Sequence, residues 1–354
     1  MAKIRVLVVD DSAFMRKIIP DMLNEDPDIE VIATAKDGRD AFKKTMELSP
    51  DVITLDVEMP EMDGLHTLGY IMSEKPTPVI MLSAYTPKGA DITIKALQYG
   101  AVDFVCKPSG EISLDIKKIQ KELVEKIKAA KSIDLNKVTF TLPEDVEVKH
   151  PEKEIQQKNE IMVIIATSTG GPRALTEVVP KIPRNLPASY LIIQHMSEGF
   201  TKSLADRLNS LSLIHVKEAV HGEIIKAGTA YVAPGNYHME ILKSGAEYRV
   251  ELNQEPTRLG VRPCADMTLF SAAKVFEGSL IGVILTGMGR DGTAGVEKIK
   301  EKKARIIVQD KDTSVIYGMP KSVVDKGYAD KVLPINEIAD FITEEINIMT
   351  REAK

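Results

Sequence analysis

Residues 4–11 read Ile4-Arg5-Val6-Leu7-Val8-Val9-Asp10-Asp11, an apolar run that stops on two acids. A strand buried on both faces of a parallel sheet reads as a nearly continuous stretch of Val, Ile and Leu, and this run does so. It is too short for a signal-peptide core or a membrane span, so no export and no membrane insertion are expected and the cytoplasm is the default location. Working outward, the pattern recurs at 29–35, 51–55, 78–82 and 102–105, with helix-length segments near 14–25, 39–48, 64–74, 88–98 and 113–130. That is βα repeated five times. Right-handed crossovers then place helices on both faces of one five-stranded parallel sheet, a doubly wound α/β domain over residues 1–130.

A length of 354 residues calls for about two domains at roughly 150 residues each. Hydrophobic residues at 44% and charged ones at 28% exclude collagenous and wholly disordered classes. Residues 131–157 carry charges of both signs, Pro143, Pro151 and Gln156-Gln157 with few sustained apolar runs, and read as an interdomain linker. Ile161-Met162-Val163-Ile164-Ile165 opens a second doubly wound α/β domain over 158–354. Its further strands are expected at 189–194, 213–219, 229–233, 280–286 and 305–308, and its helices near 172–180, 199–209, 266–276, 292–301 and 335–349. Met239–Leu242 and Glu247–Leu252 alternate apolar with polar and suit a hairpin with one wet face. Cys106 and Cys264 are the only cysteines, so a cysteine zinc cage is excluded and a reducing compartment fits. A net charge of −6 argues against broad nucleic-acid binding.

Ligands in open α/β sheets gather at the carboxyl ends of the strands. In the first domain those ends carry Asp10 and Asp11, Asp56, Ser83 and Lys107. Three carboxylates brought together repel, and a hard divalent ion such as Mg²⁺ relieves that repulsion with oxygen ligands. Lys107 would then face a phosphate. The set points to Asp56 as acceptor of a phosphoryl group, with Mg²⁺ and Lys107 neutralising the transferring oxygens and the Ser83 hydroxyl donating to one of them. Any one of these acids could instead cap a helix; their joint placement at successive strand ends is what favours chemistry.

Val8-Val9-Asp10-Asp11-Ser12, Asp56 through Gly64, Ser83-Ala84 and Lys107-Pro108 resemble the receiver domain of bacterial response regulators, over about residues 1–125. The resemblance implies a flavodoxin-like sheet, a cis Lys107–Pro108 bond, Phe104 as an aromatic switch residue and the backbone carbonyl of Glu58 as a further metal ligand.

In the second domain, Ser168-Thr169-Gly170-Gly171-Pro172 sits between a strand and a helix. Glycines let the backbone approach a ligand, and helix-start N–H groups favour an anion, either a phosphate or the oxyanion of acyl transfer. The motif alone admits both. His195 ends the next strand and Asp291 follows the strand beginning at Leu280. A serine needs a base, and a basic histidine needs a carboxylate, which gives Ser168, His195 and Asp291 a common reading as a catalytic triad. His66, His150, His215, His221 and His238 compete for the base, and Asp291 beside glycine also suits a plain turn.

Ser168 to Gly171, Gln194-His195-Met196, Ala233 to Asn236, Arg262-Pro263 with Asp266, and Gly287 to Gly292 together resemble the catalytic domain of the chemotaxis protein-glutamate methylesterases, the CheB family, over nearly all of 158–350. That resemblance implies Ser168, His195 and Asp291 as the triad, with an oxyanion hole from the backbone N–H groups of Thr169 and Met288. It implies hydrolysis of glutamate γ-methyl esters on methylated chemoreceptors, with deamidation of glutamine a second activity and no cofactor for the ester reaction. A chemotaxis histidine kinase would supply the phosphoryl group that regulates it. Ala166-Thr167 before the serine and Cys264 depart from the family's usual residues. The alternative is a phosphorylation-regulated nucleotide-binding module without hydrolase chemistry; Ser168-directed labelling separates the two.

Overall fold

The computed structural model describes residues 2–84, 86–107, 115–133, 135 and 159–352. The chain divides into two compact units, Met1–Pro143 and Glu144–Lys354. The expected cis bond involves Pro108, which lies outside the described residues, as does most of the 131–157 segment.

In the first unit β1 (Ile4–Val9), α1 (Met15–Asn24), β2 (Ile29–Ala35), α2 (Gly38–Leu48), β3 (Val52–Asp56), α3 (Gly64–Glu74), β4 (Val79–Ser83), α4 (Pro87–Gln98), β5 (Asp103–Cys106) and α5 (Asp115–Lys131) alternate along the chain. The strands pair in parallel in the order β2-β1-β3-β4-β5. This is the flavodoxin-like sheet, and Val6, Leu7, Val8 and Val9 are wholly buried within it, as a two-sided parallel strand requires. Helix starts follow from local chemistry: Asp37, Asp63 and Thr86 accept from the N–H groups of Asp40, His66 and Gly89. The strand order reverses between β1 and β3, so a crevice opens there at the carboxyl ends. Asp10 and Asp56 stand on its two sides. After β3 the chain folds back so closely that Gly64 N–H donates to Val57 O at 3.0 Å.

The second unit runs β6 (Ile161–Thr167), α6 (Gly171–Val178), β7 (Ala188–Gln194), α7 (Phe200–Leu211), β8 (His215–Glu218), β9 (Thr229–Val232), β10 (His238–Ser244), β11 (Glu247–Asn253), α8 (Ala265–Val275), β12 (Ser279–Ile284), α9 (Thr293–Lys300), β13 (Arg305–Gln309), α10 (Met319–Asp325), β14 (Lys331–Leu333) and α11 (Ile335–Glu352). Seven strands form one parallel sheet in the order β14-β13-β12-β6-β7-β9-β8. Every residue of the central β6 is buried. The chain leaves β6 toward β7 on one side and returns to β12 on the other, so the reversal lies at β6. The β10–β11 hairpin buries Met239, Ile241 and Val250 and exposes Leu242 and Lys243. Sequence periodicity passed over α10 and β14. The first has seven residues and opens on Met319-Pro320, and the second has three with Lys331 and Val332 exposed, both too short for a period to register.

A methyl group on Gly64 would lie 2.2 Å from the Asp56 carbonyl oxygen, a backbone atom that cannot swing aside. Gly64→Ala is therefore expected to destabilise the first unit by about 2 kcal/mol, read as a lower melting temperature; parent-like melting would contradict the close approach.

Candidate active site and phosphoacceptor pocket

At the carboxyl edge of the first sheet, Lys107 Nζ lies 2.8 Å from Asp10 Oδ2 and 2.7 Å from Asp56 Oδ2. Lys107 is brought there by β-sheet pairing, since its N–H donates to Ser83 O at 2.7 Å. Asp10 and Asp56 are buried and Asp11 is exposed, with one carboxylate oxygen from each within 4.8 Å of the others. Burial raises the Asp56 carboxyl to about 6 against the pull of the Lys107 ammonium, and the Asp10 charge adds to the rise. Burial disfavours the Lys107 ammonium, but Asp56 and Asp10 outweigh it and raise the lysine above its ordinary value. Three hard oxygen donors against one ammonium leave an excess of negative charge, and that donor set suits a Mg²⁺-sized cation. Glu58 N–H donates to Asp56 Oδ1 at 3.2 Å. The Ser83 hydroxyl is buried and donates to Ala84 O at 3.3 Å. Phe104 is buried, with Lys126 Nζ 5.2 Å from its ring centre. Sequence reading missed Lys126, which also pairs with Asp103 at 3.1 Å and Glu122 at 2.9 Å; only the Glu122–Lys126 spacing of one helical turn signals it.

In the second unit the register pairs Thr167 with Gln194, so Ser168 and His195 are the next residues beyond two hydrogen-bonded neighbours. His195 N–H donates to Thr167 O at 3.1 Å, and Ser168 N–H donates to Thr286 O at 3.0 Å, beyond the end of β12. Three adjacent strands thus deliver their ends to one place. His195 Nε2 is 2.7 Å from Asp291 Oδ2. Among the described residues no hydrogen bond joins the Ser168 hydroxyl to the imidazole; the register is what brings the two residues together. Such bonds are commonly long in unliganded sites and tighten on substrate. Gly287 lets the loop carrying Met288 press against the serine, since a methyl there would sit 2.8 Å from Ser168 Cβ. The Thr167 hydroxyl, one of the departures from the family's usual residues, donates to Thr286 O at 2.9 Å and ties β6 to that loop.

Of the competing histidines, His66 pairs with Asp63 on the surface, His215 meets Asn209 and His221 accepts from Leu252 N–H. His238 is buried against Pro256 O, and His150 lies outside the described residues.

Asp291 accepts from Ala265 N–H at 2.6 Å, Asp266 N–H at 3.0 Å, Gly292 N–H at 2.9 Å and the Cys264 thiol at 3.0 Å, besides His195. Burial opposes its ionisation, but the imidazole, the thiol and the N–H groups prevail and hold the carboxyl down to about 2. Burial and the facing Asp291 carboxylate push the Cys264 thiol well above its ordinary range, so it stays a neutral donor. Asp266 accepts from Gly295 N–H at 2.7 Å and is 3.4 Å from Arg258 Nε. Neither Cys264 nor Asp266 shows a role in the sequence, because the groups that tie them into the site, Asp291 for the thiol and Gly295 for the carboxylate, lie more than twenty residues away.

Fold and sites define a class: a phosphate-receiving response-regulator domain joined to an α/β hydrolytic domain. The response regulator receiver domain model matches residues 6–118, and the CheB methylesterase model matches residues 163–342. A protein-glutamate methylesterase/protein-glutamine glutaminase of Pyrococcus abyssi is 46% identical, covering 98% of this chain and 95% of its own length. One of the same name from Thermotoga maritima is 46% identical over 96% of this chain and 98% of its own. The crystal structure of the Thermotoga maritima CheB methylesterase catalytic domain superposes with a TM-score of 0.51 at 45% identity, covering 54% of this chain and 99% of that one. The chain belongs to the CheB methylesterase family. That membership decides against the nucleotide-binding alternative.

Because Asp291 titrates below its ordinary value of 3.8, its stabilising effect is present above that pH and is lost as pH falls toward 2. Asp291→Asn should therefore cost about 2 kcal/mol at pH 7, with the deficit shrinking between pH 4 and pH 2. Calorimetry at a series of pH values checks this, and a deficit that stays constant through that window would contradict it.

Proposed function

We propose that this chain hydrolyses glutamate γ-methyl esters on chemoreceptors, with Ser168 as nucleophile, His195 as base and Asp291 as the carboxylate that orients it. The carrying observation is the register that sets Ser168 beside His195 while the far side of the imidazole rests on Asp291. An ionised Asp291 accepts only, so Nε2 carries the ring proton and Nδ1 is the basic nitrogen. Ser168 Oγ attacks the ester carbonyl and its proton passes to Nδ1. The resulting oxyanion is held by the backbone N–H groups of Thr169 and Met288. Collapse breaks the carbon–oxygen bond to the methoxy group, which takes the proton from His195 and leaves as methanol. Water, deprotonated by His195, then releases the glutamate side chain and restores Ser168. The relatives' name includes glutaminase, and the same steps on a glutamine amide would expel ammonia, which needs that proton even more than methanol does.

Regulation is assigned to Asp56, which accepts a phosphoryl group from a chemotaxis histidine kinase. The Asp10, Asp11 and Asp56 carboxylates with the Glu58 carbonyl would hold Mg²⁺, which when bound neutralises charge on the transferring oxygens. An Asp56 oxygen forms the new bond to phosphorus while the phosphorus–nitrogen bond to the kinase histidine breaks. The Lys107 ammonium and the Ser83 hydroxyl stabilise the transferred oxygens, and Phe104 relays the change. Among the described residues no helix is long and apolar enough to cross a membrane. Cys106 and Cys264 are both free thiols, which fits a cytoplasmic location facing the receptors' cytoplasmic segments.

Methanol release from methylated receptor membranes, with and without a small phosphodonor, tests both halves. Ser168→Ala should lower release at least about a thousandfold. Asp56→Asn should keep basal release, lose the response to phosphodonor and take up no acid-labile phosphate; chelation of divalent cations should abolish uptake by the parent. Parent-rate release by Ser168→Ala, or phosphate retained on Asp56→Asn, would refute the corresponding assignment.

A further inference from the structure

Gln194, the last residue of β7, carries a primary amide that is 2% exposed, and an amide so deeply buried must find partners or destabilise the fold. Its Nε2 lies 3.0 Å from Ser168 O and 3.0 Å from His195 O. Both partners are carbonyls, so the nitrogen must face them whichever way the amide is drawn. One donor group therefore bridges the residue bearing the hydroxyl and the residue bearing the imidazole. On its other side Oε1 fills the space beside Gly171, where a methyl would come within 2.0 Å of it. Glycine at 171 is thus what admits the amide.

We propose that Gln194 is a positioning residue for the esterase reaction, resting on the assignment of Ser168 and His195 as nucleophile and base. Ser168 O receives the Gln194 amide and also Gly171 N–H at 2.8 Å. In a trans peptide the next N–H points opposite to the carbonyl, so these two bonds set the direction of Thr169 N–H. That N–H is the donor assigned to the oxyanion, and hydrogen bonds weaken steeply when tilted. The oxyanion exists only along the reaction path, so loosening this peptide should slow turnover without weakening substrate binding.

Gln194→Met keeps the length and removes the donor, and Gln194→Leu removes it with a shorter apolar side chain; having both keeps the test alive if one variant fails to fold. In the full-length chain, kcat for methanol release should fall roughly 10- to 100-fold with KM within about twofold of the parent. Affinity for a trifluoromethyl ketone analogue of the glutamyl ester, which mimics the tetrahedral adduct, should fall by the same factor as kcat. A folded variant with parent kcat, with a raised KM alone, or with reduced kcat but parent ketone affinity would overturn the proposal. Ser168→Ala run alongside separates the failures. If it is inactive while Gln194→Met runs at the parent rate, only the positioning role falls; if it is active, the nucleophile assignment falls first.

Discussion

A single buried carboxylate organises the hydrolytic half of this protein. Asp291 comes from the loop after β12, yet it accepts the N–H groups of Ala265 and Asp266 that open α8, where Cys264 provides no side-chain cap. It is the helix's cap from a distance, and an anion at a helix N-terminus is favourably placed. The same carboxylate holds His195. Fixing one group therefore fixes the start of α8, the loop beyond β12 and the imidazole.

The two units place acids by the same topological rule and use them oppositely. In each, a functional acid stands where the strand order reverses, at β1 and β3 in one sheet and at β12 beside β6 in the other. Burial disfavours ionisation in both. Asp56 meets one ammonium, one backbone N–H and the like charge of Asp10, and rises to about 6; Asp291 meets three backbone N–H groups, a thiol and an imidazole, and falls to about 2. The first is a pocket poised to take up countercharge, and the second is an anion already satisfied. The roles proposed for them, phosphoryl acceptor and orienting group, call for different carboxyls, and the neighbours supply the difference.

Much of this was legible in the residues. Val6 to Val9 and Ile161 to Ile165 announce buried parallel strands because they are short, unbroken apolar runs rich in β-branched residues, and the acids, serine and histidine follow at the strand ends. The order of the seven strands was not legible. Periodicity reports which faces are buried and says nothing of which strand lies beside which. For the same reason the bonds from Gln194 to Ser168, and from Cys264 to Asp291, could not be read: each joins residues more than twenty apart through a fold that must exist first. Lys126 over Phe104 is a third instance. The short α10 and β14 escaped because two turns or three residues carry no period.

The proposed attack by Ser168 requires that the ionised Asp291 select one tautomer of His195. Nitrogen-15 NMR of the histidine-labelled protein, with His195 assigned through His195→Gln, measures this directly above neutral pH. The prediction is a protonated Nε2 and an unprotonated Nδ1, a state abolished in Asp291→Asn. A proton on Nδ1 with Nε2 bare would contradict it, for the base would then have nothing with which to accept the serine's proton.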